Sequence, residues 1–258
     1  MQVELYIIIF IIGLIFGSFL NVLIYRLPLD ISLFKPLGST CTHCKHRIKW
    51  HENIPILSFL LLKGKCSNCS KPISIVYPFV ELTTALVTLL LYMNYWLNWE
   101  LIVTIALFYT LIVLSFIDLK YKAVPDYLLI VTVILTIIVG DLMNILIFAG
   151  GFALLELVIT FYIQNVKAKI TKNKDLETQS ALGEGDIPIA GVIGGLLGLH
   201  LGISAIFLAT LLGLSLSIYN LLSKKEIETP FIPFLSLGLF ITFITGFNIF
   251  SWFLGYTY

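Results

Sequence analysis

A chain of 258 residues that is 59% hydrophobic and only 12% charged, with a mean hydropathy of +0.99, is excluded from the soluble globular class. Apolar runs of about 18 to 25 residues recur along it, so the composition calls for an all-α polytopic membrane protein whose helices satisfy their own backbone in lipid. The net charge of +1 says little about partners, and no nucleic-acid partner is expected; the placement of the charges carries more information than their sum.

In chain order, the first apolar run covers residues 5–25. It is too long for a signal-peptide core and lacks a basic segment before it and a cleavage site after it. A polar, basic stretch follows over residues 26–75, and further runs cover 76–97, 101–117, 127–139, 145–164, 187–201, 203–222 and 234–256. The expected fold is therefore about eight transmembrane helices, two of them short. It divides into a first helix (1–25), a cytoplasmic cysteine segment (26–75) and a seven-helix membrane domain (76–258). Alternate threading places segments 26–75, 118–126, 165–186 and 223–233 on one side, and these hold all 16 Lys and Arg residues. By the positive-inside rule that side is cytoplasmic and both termini lie outside. The stretch 167–180 reads as a solvated, mobile loop.

All four cysteines fall in the first cytoplasmic segment, as Cys41-Thr42-His43-Cys44 and Cys66-Ser67-Asn68-Cys69. Two CxxC pairs separated by 21 residues match a four-thiolate zinc site, and a segment too small for its own core benefits from a metal staple. Redox-active thiols are the alternative; disulfides are disfavoured in a reducing cytoplasm. His43 and His46 read as outside the ligand set, since four thiolates fill the shell. Between the pairs, the stretch from Trp50 to Gly64 is apolar in its later half but too short to span. It reads either as an interfacial helix or turn, with Trp50 and Lys63 at the membrane surface, or as a segment packed on the helix bundle.

Asp186, in Gly183-Glu184-Gly185-Asp186, stands at the mouth of an uncharged, glycine-rich run. An Asp there suits a helix start, where the dipole offsets part of its desolvation. A catalytic role requires a second carboxylate at the same depth, and Asp118 supplies one at the end of the third run. Asp126, after Pro125, suits an N-cap or a supporting role. Glu81 and Glu156 lie within apolar runs, where an acid is a functional candidate by default.

Several stretches together resemble the type IV prepilin peptidase family, whose second aspartate motif is shared with GxGD intramembrane proteases. They are the run from Gly17 to Pro28, the two CxxC pairs, Asn53 to Ser58, Tyr77-Pro78 with Glu81-Leu82, Ile117-Asp118 with Pro125-Asp126, Gly183 to Asp186, and Pro230 to Gly238. The resemblance implies an aspartic endopeptidase with Asp118 and Asp186 as its dyad, supported by Gly183, Gly185 and Asp126. It implies as substrate the short basic leader of a type IV prepilin or pseudopilin, cleaved after Gly at the cytoplasmic face of the bacterial inner membrane. It also implies N-methylation of the new terminus with S-adenosylmethionine, with Gly64 and Glu81 as the residues connected to that cofactor. The zinc held by Cys41, Cys44, Cys66 and Cys69 would then be structural. Pro188 departs from the family, which commonly has a basic residue at that position. Competing readings are a transporter, which needs midplane acids and repeated halves, and a non-enzymatic scaffold docking a partner through its cysteine segment.

Overall fold

The computed structural model describes residues 2–33, 38–95, 97–171, 174–178, 182–223 and 229–254. Among these the chain is helical, with two isolated β-bridges, Thr40 to Arg47 and Lys65 to Pro72. The helices are α1 (Gln2–Arg26), α2 (Leu57–Leu61), α3 (Val76–Asn94), α4 (Trp99–Tyr121), α5 (Asp126–Val139), α6 (Leu142–Phe161), α7 (Ala168–Thr171), α8 (Asp186–Leu222), α9 (Ile232–Thr245) and α10 (Ile249–Leu254). Two compact units divide the chain, residues 1–121 and 122–258. Among the described residues, five helical stretches are long and apolar enough to cross a membrane: Gln2–Leu29, Val76–Asn94, Trp99–Tyr121, Leu142–Thr171 and Asp186–Leu222. Helices α5 and α9 are apolar but shorter.

In the first unit α1, α3 and α4 pack together. Gly13 and Gly17, four residues apart, lay one face of α1 directly on α3. A Cβ at Gly13 would meet the Ala85 Cα at 2.6 Å, and one at Gly17 would meet the Glu81 Cα at the same distance. Lipid offers no hydrophobic drive between helices, so small residues that allow backbones to approach supply the packing. Buried hydroxyls on this contact are satisfied internally: Thr88 shares a 2.7 Å hydrogen bond with the Tyr109 hydroxyl.

The second unit is organised around α8. Its 37 residues would make a straight rod of about 55 Å, well beyond the roughly 30 Å hydrocarbon core. Gly198, with φ 69° and ψ −172°, breaks it. Two observations show that the chain folds back there. The Phe148 ring of α6 lies against both Gly194 and Gly202. One cavity is lined by Gly183 and Asp186 from before the break and by Thr210, Gly213 and Ser217 from after it. The expected boundary between two spans is therefore correct in kind, but the turn is at Gly198, earlier than the expected break at 202. Only glycine takes this backbone conformation without strain.

Three other expectations are corrected. The stretch 167–180 is not a simple loop: α6 runs on through a π-helical turn, Tyr162–Lys167, into α7, and Lys174–Thr178 forms a 3-10 turn. The residues from 162 to 171 contain no Gly or Pro to stop the helix. Residues 172–173 and 179–180 of that stretch lie outside the described residues. The expected last span breaks at Gly246, which takes φ 65° and caps α9, and α10 begins after it; positions 255 and 256 lie outside the described residues. Third, the cap of α5 is Pro125, with no side-chain hydrogen bond, and Asp126 is the exposed first residue of the helix.

Candidate active site and metal centre

Asp186 is the first residue of α8 and is only 5% exposed. Its carboxylate reaches back and accepts the Gly183 N–H at 3.1 Å, while the Asp186 N–H donates to the Gly183 carbonyl at 3.0 Å. The two motif glycines have separate jobs. A side chain at Gly183 would press on the Asp186 carboxylate, 3.3 Å from the would-be Cβ. One at Gly185 would strike Ile232 and Val124, each at 2.9 Å. Pro188 lies in the first turn, where proline is tolerated because that N–H has no helical partner.

The depth of Asp186 follows from helix lengths. The first arm of α8, residues 186–197, rises only about 18 Å. The second arm, 199–222, is about twice as long. Residues level with Asp186 across the fold-back are therefore near Thr210, and the second arm continues past them to Leu222. Helix α5 is also short, at 14 residues, and starts near the same turn, since Val124 and Leu129 face Gly185. Two short helix starts beside longer neighbours make a recess in this end of the unit. Non-helical backbone away from lipid is tolerated where it lines a cavity, and Leu182, Gly183 and Asp186 line one of about 380 Å³.

Asp118 lies in the last turn of α4 and is 8% exposed, in the first unit. Asp126, by contrast, is exposed. Glu156 is half-exposed on α6.

Glu81 is held by the fold. Its carboxylate accepts the Ile56 N–H at 2.8 Å. Ile56 has φ 58° and ψ −49°, and the Leu57 N–H donates to the Pro55 carbonyl. This is a γ-turn of the rare, strained hand, unusual for a β-branched residue. Glu81 thus pins the start of α2. Gly64 (φ 66°) closes the other end: its N–H donates to Phe59 O at 2.8 Å, and a Cβ there would meet the Phe59 ring at 3.1 Å. The two residues linked by resemblance to the methyl donor therefore brace one short helix from its two ends. We expect Glu81→Ala to lose methylation while Glu81→Gln, which keeps an acceptor, restores it to within about threefold; mass spectrometry of the product terminus reads both.

The four cysteine sulfurs all lie within 4.8 Å of one another, with Cys41 to Cys69 at 3.9 Å and Cys44 to Cys66 at 4.0 Å. A tetrahedral zinc with bonds of about 2.3 Å sets its sulfurs about 3.8 Å apart, so the donor set fits that ion. The two CxxC turns are built alike. Lys45 and Ser70, each following a second cysteine, take φ 59° and 56°, and each donates its N–H to the first cysteine's carbonyl at 3.0 Å. The histidines 43 and 46 stand outside the thiol cluster. The His46 N–H, with further help from Asn68, lowers Cys44 from the ordinary thiol value of 9.0 to about 6. At Cys69 the Lys71 N–H pulls downward, but burial and the neighbouring sulfurs outweigh it and push that thiol up to about 11. A divalent cation removes this conflict.

Purified protein is expected to carry one zinc per chain, lost in Cys66→Ser. Because protons compete with the metal for all four thiolates, zinc should be retained at neutral pH and released on acidification. Metal analysis across a pH series checks both.

Comparison with known proteins shows the family. Residues 11–95 match the bacterial peptidase A24 N-terminal domain, and residues 105–218 match the type IV leader peptidase family. The chain is 31% identical to the prepilin leader peptidase/N-methyltransferase of Aeromonas hydrophila, over 95% of this chain and 92% of that protein. The chain belongs to the type IV leader peptidase family. The proteins of the same name from Legionella pneumophila, 30% identical over 98% of this chain and 95% of that one, and from Bacillus subtilis (strain 168), 29% identical over 96% and 97%, extend the likeness across the whole length. No solved structure matches the chain. Family membership covers both the cysteine segment and the Asp186 turn, features that sequence reasoning had linked. The Ile56 γ-turn was missed, because nothing in Asn53-Ile54-Pro55-Ile56 marks a positive φ at a β-branched residue.

Proposed function

We propose that this protein is a membrane aspartic endopeptidase that removes the short leader of type IV prepilins or pseudopilins after Gly, at the cytoplasmic face, and then N-methylates the new terminus. The observation that carries the reading is Asp186, buried at the floor of a recess at one end of its unit, on a glycine turn that orients its carboxylate. Asp118, also buried and at the end of its helix, is the second carboxylate. Two acids sharing a proton can hydrolyse a peptide: the ionised one takes a proton from water, and the protonated one donates to the carbonyl oxygen. Close carboxylates do not readily both ionise, so such a pair titrates in coupled steps.

The substrate suits the site. Its apolar helix stays in the bilayer, and its basic leader emerges on the side that carries the chain's lysines and arginines. The cysteine segment holds zinc as a structural staple, with no part in the hydrolysis. S-adenosylmethionine supplies the methyl group; Gly64 and Glu81 support that activity by fixing α2, since the Glu81 carboxylate is already engaged by the Ile56 N–H.

Co-expression with a prepilin, followed by mass spectrometry of the pilin N-terminus, tests the reading. A terminus shortened by the leader and carrying one added methyl is the expected product. An intact leader, with the enzyme inserted and folded, would overturn the peptidase assignment.

A further inference from the structure

The cavity beside Asp186 has a direction. Asp186 and Gly183 lie at one end, level with Thr210 and Gly213 by the fold-back at Gly198. Ser217 and Thr229 lie further along, towards the end of α8 and the start of α9, and the walls are Phe231 and Phe234. From Thr210 to Ser217 the helix rises about 10 Å, the length of about three residues of extended peptide. Among the described residues, Asp186 is the only charged one in the lining, and the rest are small, hydroxyl or apolar side chains, a lining suited to reading side-chain size. Ser217 and Thr229 hydroxyls, 2.9 Å apart, can exchange their mutual hydrogen bond for one to a peptide group. At Gly213 the Phe231 and Phe234 rings close on the helix and form the floor of the groove there, since even a Cβ would come within 3.3 Å of Phe231 and 3.5 Å of Phe234.

We propose that this groove holds, in extended form, the last three or so leader residues before the scissile bond, and that Gly213 and Phe234 set the size of side chain it admits. The proposal rests on the peptidase reading, which places the apolar helix of the substrate in the bilayer. From Asp186 the groove runs away from the Gly198 turn, the way the leader leaves, so its occupant is the leader side of the bond. A wide side chain meets the Phe231–Phe234 wall, whereas the basic residues further out lie beyond the groove.

The test uses full-length enzyme and a prepilin series carrying one Trp at each of the three leader positions before the bond, at the fifth, or at the second mature position. Wild type is expected to lose about ten-fold or more in kcat/KM for Trp at the first three positions and little at the fifth. Phe234→Ala, which widens the groove, should relieve that penalty at least about fivefold, and Gly213→Leu should deepen it. Neither variant should change the ranking of the mature-side substrate against the parent. Equal shifts for all substrates, shifts confined to the mature side, or no Trp penalty in wild type would each overturn the proposal. The peptidase reading is scored separately, by cleavage of the parent prepilin and its loss in Asp186→Asn.

Discussion

Asp186→Asn and Asp118→Asn are each expected to lower leader cleavage by about a thousand-fold or more, while Asp126→Asn is expected to keep a substantial fraction of wild-type activity. The amide is nearly isosteric with the carboxylate, so insertion and expression should stay close to normal and the loss reports chemistry. An amide can neither take a proton from water as a base nor hold the proton that an acid donates, so either change stops a two-carboxylate reaction. For Asp186 the replacement also preserves an acceptor for the Gly183 N–H, 3.1 Å away, provided the amide oxygen faces it. Asp126 is exposed, at the first position of α5, and its carboxylate acts chiefly on the helix dipole. Rates measured on a purified prepilin, with each variant checked for monodispersity, decide the assignment. A dead Asp126→Asn beside an active Asp118→Asn would move the catalytic role to Asp126.

The part of the site that was legible in the sequence is the part encoded locally. Gly183-Glu184-Gly185-Asp186 ahead of an uncharged run marks a turn entering a helix, and the structure places α8's first residue at Asp186. The cysteine pairs were legible for the same reason, since each CxxC turn builds its own geometry and only the closing of two turns on one another is long-range. What the sequence hid depends on distant partners. Glu81 reads as an acid stranded in an apolar run, yet its carboxylate is committed to a backbone N–H 25 positions away. The depth of Asp186 was not readable from the motif; it follows from an arm of 12 residues ending at Gly198, one of several glycines in that run. Nor does periodicity reveal that α6 continues beyond Gln164, because a π-turn shifts the register of the apolar positions.

Glycines on α8 set the second large effect. Gly194→Ala is expected to cost several kcal/mol, enough to lose most folded protein, because the new Cβ would run into the Phe148 ring and the Asn144 carbonyl, the latter at 2.6 Å. The ring can move, but the carbonyl belongs to the α6 backbone and cannot without parting the helices. Phe148→Leu should therefore fail to rescue Gly194→Ala. Gly202→Ala is different in kind. All three of its nearest contacts are atoms of the Phe148 ring, at 2.6 to 3.4 Å, so Phe148→Leu in the same chain should recover much of the loss. Gly150→Ala and Gly151→Ala, also on α6 but with nothing within 4 Å of the added methyl, should be nearly neutral. Thermal unfolding in detergent, read as the fraction remaining monodisperse, ranks the set. A Gly194→Ala protein as stable as Gly150→Ala would show that α6 and α8 do not pack backbone to backbone. The first arm of α8, and Asp186 with it, would then lack the support that fixes its depth.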